Sequence, residues 1–282
     1  MVARYAFSID LDRCVGCQAC VVACRTANEL APGNTFITVS DVVKRQSSNL
    51  WGSFAHQRCF HCGAAPCVTV CPTGALSKWN GLTIIEPEKC SGCGYCTDAC
   101  PFKVPHVIAN SVSKCTACFE LRDRIIPFLG ARVAPLLRDG QEPWCAQTCP
   151  SQAIKFGEWD SLLAEAKARV AALQPRYPNA EVYGKTQLGG LGLLMILLDR
   201  PGVYGLPPNP TTPVTLTVWQ GAVQPATTGL SALAAVTMGL MFVVARRRHA
   251  REKAETHNTA GDVPAPQPEV ATVAEQEQEH DS

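Results

Sequence analysis

Apolar residues come in short bursts through the first half of this chain and in longer blocks through the second. Two bursts end at Ile9 and Ile85, each running into a loop, and two more, Ala75-Leu76 and Ala153-Ile154, follow shortly after a Cys-Pro pair. Bursts of this length between turn residues predict small β-strands framing loops. From Trp159 to Leu173 the period changes to that of a helix, with Leu162, Leu163, Ala166, Val170 and Leu173 on one face. Gly189 to Leu198 is strongly apolar but too short to cross a bilayer, so a buried strand or short helix is expected. Tyr204-Gly-Leu-Pro-Pro-Asn-Pro210 predicts an irregular stretch.

The longest apolar block runs from Val218 to Ala245, and no charge occurs between Arg200 and Arg246. A helix of that length would reach about 42 Å, enough for the hydrocarbon and part of the interfaces. Trp219 stands where an aromatic anchor belongs, and Gly229, Ala232 and Ala235 allow close helix contact. Arg246-Arg-Arg-His-Ala-Arg-Glu-Lys253 follows at once, which disfavours a buried core helix. Residues 254–282 carry proline, glutamine and acid with few apolar anchors, and disorder is expected there.

Composition sharpens this picture. The chain is 46% hydrophobic, ample for a core, while charged residues make up 17% and the net charge is +1. A phosphate binder normally shows a clear basic excess, so nucleic acid is not the expected partner. The chain has 16 cysteines, all between Cys14 and Cys149. They fall into runs. Cys14, Cys17, Cys20 and Cys24 form C-x-x-C-x-x-C-x-x-x-C, and Cys90, Cys93, Cys96 and Cys100 repeat it, followed by Pro101. Cys59, Cys62, Cys67 and Cys71 follow a looser version ending at Pro72, and Cys115 and Cys118 are completed by Cys145 and Cys149 before Pro150.

Disulfides between such close neighbours would be badly strained. Structural zinc needs four ligands, often as two C-x-x-C knuckles, and a third cysteine at the same spacing is superfluous there. Iron–sulfur clusters fit, because a tight loop can wrap three thiolates around one cube while the fourth cysteine, leaving on a helix, points to a neighbour. The 16 thiolates, at four per cube, give four [4Fe–4S] clusters with none left over. A duplication supports the same reading. Ile9-Asp-Leu-Asp-Arg-Cys14-Val-Gly16-Cys17 matches Ile85-Glu-Pro-Glu-Lys-Cys90-Ser-Gly92-Cys93, and Cys71-Pro-Thr-Gly-Ala75-Leu76 matches Cys149-Pro-Ser-Gln-Ala153-Ile154. The expected fold class is α+β: two ferredoxin-like 2[4Fe–4S] modules of small strands and helices, plus one C-terminal transmembrane helix. The expected domains are a four-cluster region 1–157 with an inner module 58–110, a partner-docking or linker region 158–217, a transmembrane helix 218–245, and a basic then acidic tail 246–282.

No nucleophile elbow, phosphate loop or dinucleotide fingerprint occurs, and no run lacks a cysteine, so no catalytic residue is assigned. Fully thiolate-ligated clusters exchange electrons rather than bind substrate. His61 and His106 stand near cysteines and are candidates for tuning a potential, but nothing repeats their placement, and loop histidines without a redox role are the preferred reading. Phe119 to Trp144 contains prolines that argue against one long helix, with Arg122, Arg124, Arg132 and Arg138 among apolar residues. It reads either as a loop folded onto its own domain or as a partner-docking arm.

Residues 246–253 hold five Lys/Arg, while 201–217 hold no charge, so the positive-inside rule places the C-terminus in the cytoplasm and the cluster region outside the inner membrane. No charged n-region, apolar h-region or cleavage site opens the chain, so no signal peptide is expected. Clusters are built in the cytoplasm. Export as a folded passenger, on a partner carrying a twin-arginine signal, reconciles these expectations.

The runs, together with Cys149-Pro-Ser-Gln-Ala-Ile-Lys-Phe-Gly157, Ala180 to Tyr183, Gly189-Gly190, Tyr204 to Pro210 and the terminal helix, resemble the iron–sulfur (beta) subunit of the formate dehydrogenase-N type. More broadly they resemble the four-cluster ferredoxin subunits of molybdopterin oxidoreductases. The segment Phe119–Trp144 departs from the family, which usually has a short connection there. The resemblance implies a partition of ligands. Cys14, Cys17, Cys20 and Cys149 hold one cluster, and Cys24, Cys115, Cys118 and Cys145 its neighbour. Cys59, Cys62, Cys67 and Cys100 hold a third, and Cys71, Cys90, Cys93 and Cys96 a fourth. It also implies a molybdenum or tungsten pterin catalytic (alpha) subunit beside the first pair, and a cytochrome b (gamma) subunit in the membrane beside the second. The implied role is electron transfer from formate oxidation to quinone. The same wire serving a nickel–iron hydrogenase or a sulfur-compound or other anion reductase is the alternative, and a free ferredoxin or regulatory redox module is a further one, disfavoured by the anchor.

Overall fold

Strand β1 (Tyr5–Asp10) is buried on both faces apart from its first residue, because it lies in the middle of a sheet. The structure, a computed structural model, describes residues 4–46, 49–108, 110–119, 125–126, 131–132, 142–213 and 224–259. β1 pairs antiparallel with β10 (Ile154–Glu158) on one side and parallel with β12 (Leu193–Leu197) on the other. β11 (Glu181–Tyr183) closes the far edge, giving the order β10-β1-β12-β11.

Alternation decides what each face meets. Ala6, Val182, Leu194 and Ile196 pack on Leu162, Ala166, Val170 and Leu173 of helix α5 (Trp159–Leu173). Phe7, Ile9, Leu193, Met195 and Leu197 face the other way, into the core that contains the cysteines. With both faces covered, Leu193–Leu197 needs to be apolar throughout, which explains the unbroken apolar run. Each large aliphatic residue buried under α5 contributes about 1.5–3 kcal/mol. The helix ends at Pro175, which has no N–H to continue the ladder after the Gln174 N–H bonds Val170 O.

The duplication appears as two modules with one plan. In the outer module, β1 leads through the first cysteine loop into α1 (Ala19–Ala27), and α4 (Trp144–Gln147) leads into β10, with Ile9 paired to Ile154. In the inner module, α2 (Pro66–Thr69) leads into β4 (Leu76–Trp79), and β5 (Leu82–Ile85) leads into α3 (Tyr95–Ala99). Leu76 pairs with Ile85, the counterpart of the Ile9–Ile154 pair. α1 packs on α4 and α2 on α3.

A long hairpin, β2 (Ile37–Gln46) with β3 (Asn49–Arg58), joins the modules, and Phe54 from β3 lies against Gly16. This hairpin is absent from the expectations drawn from the cysteine spacing. Two shorter hairpins are β6 (His106–Ile108) with β7 (Ser111–Ser113), and β8 (Ile125–Ile126) with β9 (Ala131–Arg132). The docking-arm reading of Phe119–Trp144 falls mostly outside the described residues.

Two boundaries differ from the sequence reading. Residues 158–217 are not a separate linker: β11 and β12 complete the sheet begun by β1, and residues 1–217 form one unit. The Tyr204–Pro210 stretch is also tied down. The Tyr183 hydroxyl donates to the Pro207 carbonyl at 2.7 Å, and the Leu198 N–H donates to the Tyr204 hydroxyl at 3.2 Å. The second unit, residues 218–282, holds helix α6 (Gln224–Thr259). The expected helix ended at Ala245. It continues to Thr259 because Ala, Arg, Glu and Lys propagate a helix well. Within α6, Ala226–Lys253 has the length and apolar character to cross a membrane.

Candidate iron–sulfur cluster sites

Every cysteine run bends at the same place. The residue just before the second cysteine is left-handed in all four: Gly16 at φ 67°, His61 at 47°, Gly92 at 69° and Ala117 at 56°. This conformation turns successive backbone N–H groups toward the concave side of the loop, where an anion is favoured. The Ala117 N–H donates to Cys115 Sγ at 3.5 Å. Glycine is required at Gly16 for a second reason, since a Cβ there would lie 2.2 Å from the Phe54 ring.

The side chains then gather around separate hollows. One is lined by Cys14, Cys17, Cys20 and Cys149, with Val39 and His56. A second is lined by Cys24, Cys115, Cys118 and Cys145, with Arg58. Helix α1 explains why Cys20 and Cys24 line different hollows: four residues advance a helix by about 6 Å. In the inner module, the Cys62 thiol is raised by burial and then by Cys59, Cys100 and Cys67. The Cys96 thiol is raised to about 11 by burial, with Cys93, Cys71 and Cys90 as its thiol neighbours.

These pockets do not favour bare thiolates. Burial followed by neighbouring sulfurs raises Cys67 and Cys118 to about 12 and Cys20 to about 11. Cys24 is raised as well, by burial and then Cys115. Four mutually repelling thiolates in one dry hollow need a cationic centre, and binding iron there releases protons. None of the sixteen cysteines is in a disulfide. Among the described residues no three Cys, His, Asp or Glu groups gather tightly enough for one ion.

Arg58 is a stricter test of fit. It is 1% exposed. Its two terminal nitrogens donate to Cys145 Sγ at 3.4 Å and Cys115 Sγ at 3.3 Å, and the guanidinium lies 4.2 Å from the centre of the Phe7 ring. Its Nε has no partner, and among the described residues no carboxylate pairs with it. A buried guanidinium without an anion is very costly. Thiolates at Cys115 and Cys145, if they held iron, would supply that anion, so the residues present fit the group.

The histidines divide differently from expectation. His61 is fully buried, and its Nδ1 accepts the Thr83 N–H at 3.0 Å. It is a loop residue, as expected, but a buried one that pins Thr83, and among the described residues it makes no hydrogen bond to sulfur. His106 is exposed on β6. The histidine that does reach a cysteine is His56, with Nε2 at 3.2 Å from Cys14 Sγ. Burial and then Arg58 lower its pKa to about 4, so it meets that sulfur as neutral imidazole. Sequence reasoning missed Arg58 and His56 because both sit on a hairpin outside the cysteine spacing. It also missed Lys78, whose Nζ donates to the Cys62 carbonyl at 2.6 Å, and Lys114, which is buried and donates to the Thr83 carbonyl at 2.6 Å.

The segment 188–192 locks onto the second cysteine loop. The Gly63 N–H donates to Gly190 O at 2.8 Å, Ala64 N–H to Leu188 O at 2.7 Å, and Gly192 N–H to His61 O at 3.0 Å. The glycine pair Gly189-Gly190 therefore serves a cluster loop, through close backbone approach.

Family profiles described as 4Fe-4S dicluster domains match residues 13–75 and 51–127. The iron–sulfur subunit of formate dehydrogenase-O from Escherichia coli (strain K12) is 34% identical over 276 residues, covering 88% of this chain and 86% of that protein. The iron–sulfur subunit of the nitrate-inducible formate dehydrogenase of the same organism is 34% identical over 266 residues, covering 85% and 84%. The thiosulfate reductase electron transfer subunit PhsB of Salmonella typhi is 38% identical over 162 residues, covering 56% and 77%. The dicluster matches and the 16 cysteines give the chain four [4Fe–4S] clusters.

Proposed function

The chain belongs to the family of iron–sulfur electron-transfer subunits of formate dehydrogenases and related reductases, and from that premise we propose that it conducts electrons from a formate-oxidising molybdenum or tungsten pterin subunit to a membrane cytochrome b and on to quinone. Its role is non-catalytic. The sixteen cysteines hold the clusters in the four sets Cys14/Cys17/Cys20/Cys149, Cys24/Cys115/Cys118/Cys145, Cys59/Cys62/Cys67/Cys100 and Cys71/Cys90/Cys93/Cys96. The shared hollows of the outer module and the thiol neighbours of Cys62 and Cys96 support that partition. When bound, the clusters supply one-electron carriage.

The observation that carries the wire is the pattern of exposure. Of the sixteen cysteines only Cys17 and Cys93 are exposed, at equivalent places in the two modules. Beside them Val15, Val22 and Tyr95 are exposed apolar side chains, of the kind an interface covers. Electrons come on through the set containing Cys17, facing the catalytic subunit, and leave through the set containing Cys93, facing the cytochrome. Buried cysteines between them keep water from the inner sets. Formate is favoured because the match to the two formate dehydrogenase subunits covers 88% and 85% of this chain. PhsB matches over a shorter length, so a sulfur-compound reductase head is the second reading.

Deleting the gene and assaying membranes tests the assignment. Formate-dependent quinone reduction is expected to disappear, while the catalytic head still reduces an artificial dye. Unchanged formate oxidation with lost sulfur-compound reduction moves the chain to the second reading.

In this proposal α6 crosses the inner membrane once, in contact with lipid and the cytochrome, with the basic stretch 246–253 in the cytoplasm and the cluster region outside. Because clusters are built in the cytoplasm, the region crosses already folded. A reporter fused after Arg251 is expected to behave as cytoplasmic, and protease added to spheroplasts to reach the cluster region. Protection of that region with an exposed reporter means the reverse orientation.

A further inference from the structure

A basic residue stands immediately before the first cysteine of every run: Arg13, Arg58, Lys89 and Lys114. The four are used in two ways. Arg13 and Lys89 lead into the runs that contain the exposed cysteines. Each is solvent-exposed and meets an acid three residues back, Arg13 with Asp10 at 3.5 Å and Lys89 with Glu86 at 2.8 Å. Their charge is locally neutralised and screened by water. Arg58 and Lys114 lead into the other two runs. They are 1% and 2% exposed, and among the described residues neither meets a carboxylate.

Their directions cross. Arg58 precedes Cys59, but its guanidinium donates to the sulfurs of Cys115 and Cys145. Lys114 precedes Cys115, but its Nζ turns to the Thr83 carbonyl, on the His61 side. The positive charge at the junction of the two modules is therefore buried, uncompensated by acid and, for Arg58, in direct contact with ligand sulfur. Among the described residues no other cysteine sulfur receives a hydrogen bond from a lysine or arginine: Cys14 meets His56, Cys24 meets Asn28, and Cys71 and Cys149 meet hydroxyls.

We propose that Arg58 is a potential-setting residue, which raises the reduction potential of the cluster held by Cys115, Cys118 and Cys145. This rests on those three cysteines sharing a cluster, as read above. Reduction adds one negative charge to a site from which water is excluded. A fixed cation 3.3–3.4 Å from two of its ligand sulfurs stabilises the reduced form more than the oxidised form. Guanidinium stays charged at every accessible pH, so the effect does not switch with protonation. The two N–H donors also fix the orientation of the charge through a planar fork, which a lysine ammonium, a point charge on a flexible stem, lacks.

The test is a potentiometric EPR titration of the chain in its native complex, prepared anaerobically, with iron counted in each sample. Cys118→Ser first identifies the signal of this cluster, as the one lost when iron falls from about sixteen to about twelve. Arg58→Gln is expected to keep the iron and lower the midpoint of that signal alone, by at least a tenfold change in its equilibrium, about 59 mV for one electron. Arg58→Lys, which keeps the charge, is expected to lower it by less. If Arg58→Gln fails to hold the cluster, Arg58→Lys decides, and a midpoint equal to wild type in that variant overturns the proposal. So does an unmoved midpoint in Arg58→Gln, or loss of the cluster from Arg58→Lys, which would make Arg58 a packing residue. If Cys118→Ser does not remove a single signal, the ligand set itself is wrong, a failure separate from that of Arg58.

Discussion

Replacing Cys24 with serine is expected to remove the same EPR signal that Cys118→Ser removes, and to leave the signal that depends on Cys17. Cys24 belongs by sequence to the first run, three of whose members line the hollow completed by Cys149. It lies one helical turn further along α1, buried, in the hollow with Cys115, Cys118 and Cys145. Asn28 holds that turn in place, with Nδ2 2.8 Å from the Cys24 carbonyl and 3.6 Å from its sulfur. A serine hydroxyl is harder and shorter than a thiolate, and among the described residues the cation beside it is Arg58. Anaerobically prepared wild type should carry about sixteen irons with equal sulfide, and Cys24→Ser about twelve. Quinone reduction by the complex is expected to fall with it, because the proposed route runs through this set. A Cys24→Ser sample that loses the signal lost in Cys17→Ser would show that run one holds its own fourth ligand.

Much of this site can be read from cysteine spacing, because a cube imposes its geometry on a short loop and the loop leaves its imprint in sequence. The left-handed bend is legible at Gly16 and Gly92, where the residue is glycine. It is hidden at His61 and Ala117, where the cluster loop imposes the same φ on side chains that rarely adopt it. Strands β1, β4, β5 and β10 were legible as apolar bursts beside the runs. The β2–β3 hairpin was not, because its function is to carry Arg58 and His56 to sulfurs that are distant in sequence. The closure of the sheet by β12 was only half legible. An apolar run reveals burial, but a parallel pairing with β1 across the whole domain leaves no local mark. The basic residue before each run was present in the sequence throughout. Its meaning depends on burial, which separates Arg58 and Lys114 from Arg13 and Lys89.

Gly63→Ala is expected to be the most damaging substitution outside the cysteines. Gly63 follows Cys62 directly, and its backbone is pressed against the segment 188–192. A Cβ there would lie 2.3 Å from Gly189 O, 2.7 Å from Gly190 O and 2.8 Å from the Gly189 carbonyl carbon. All three are backbone atoms, so no rotamer change relieves the clash. Neither side can retreat easily. The loop is held by Gly192 N–H on His61 O at 3.0 Å, and the segment by Leu191 N–H on Gly184 O at 2.7 Å. Overpacking of this kind costs about 1–3 kcal/mol even where side chains can move. With backbone on both faces the cost is expected at about 3 kcal/mol or more. The loop that presents Cys59 and Cys62 would then separate from β12, and the cluster of Cys59, Cys62, Cys67 and Cys100 would be lost. Gly74→Ala is the control: its φ is +66° but nothing lies within 4 Å of the added Cβ, so only the left-handed strain remains, about 1–2 kcal/mol. Iron analysis and limited proteolysis of the two variants separate these costs. Gly63→Ala should hold about twelve irons and be cleaved within 184–198, while Gly74→Ala holds about sixteen and resists. Equal iron and equal resistance in the two would mean that the 188–192 clamp does not hold the cluster loop.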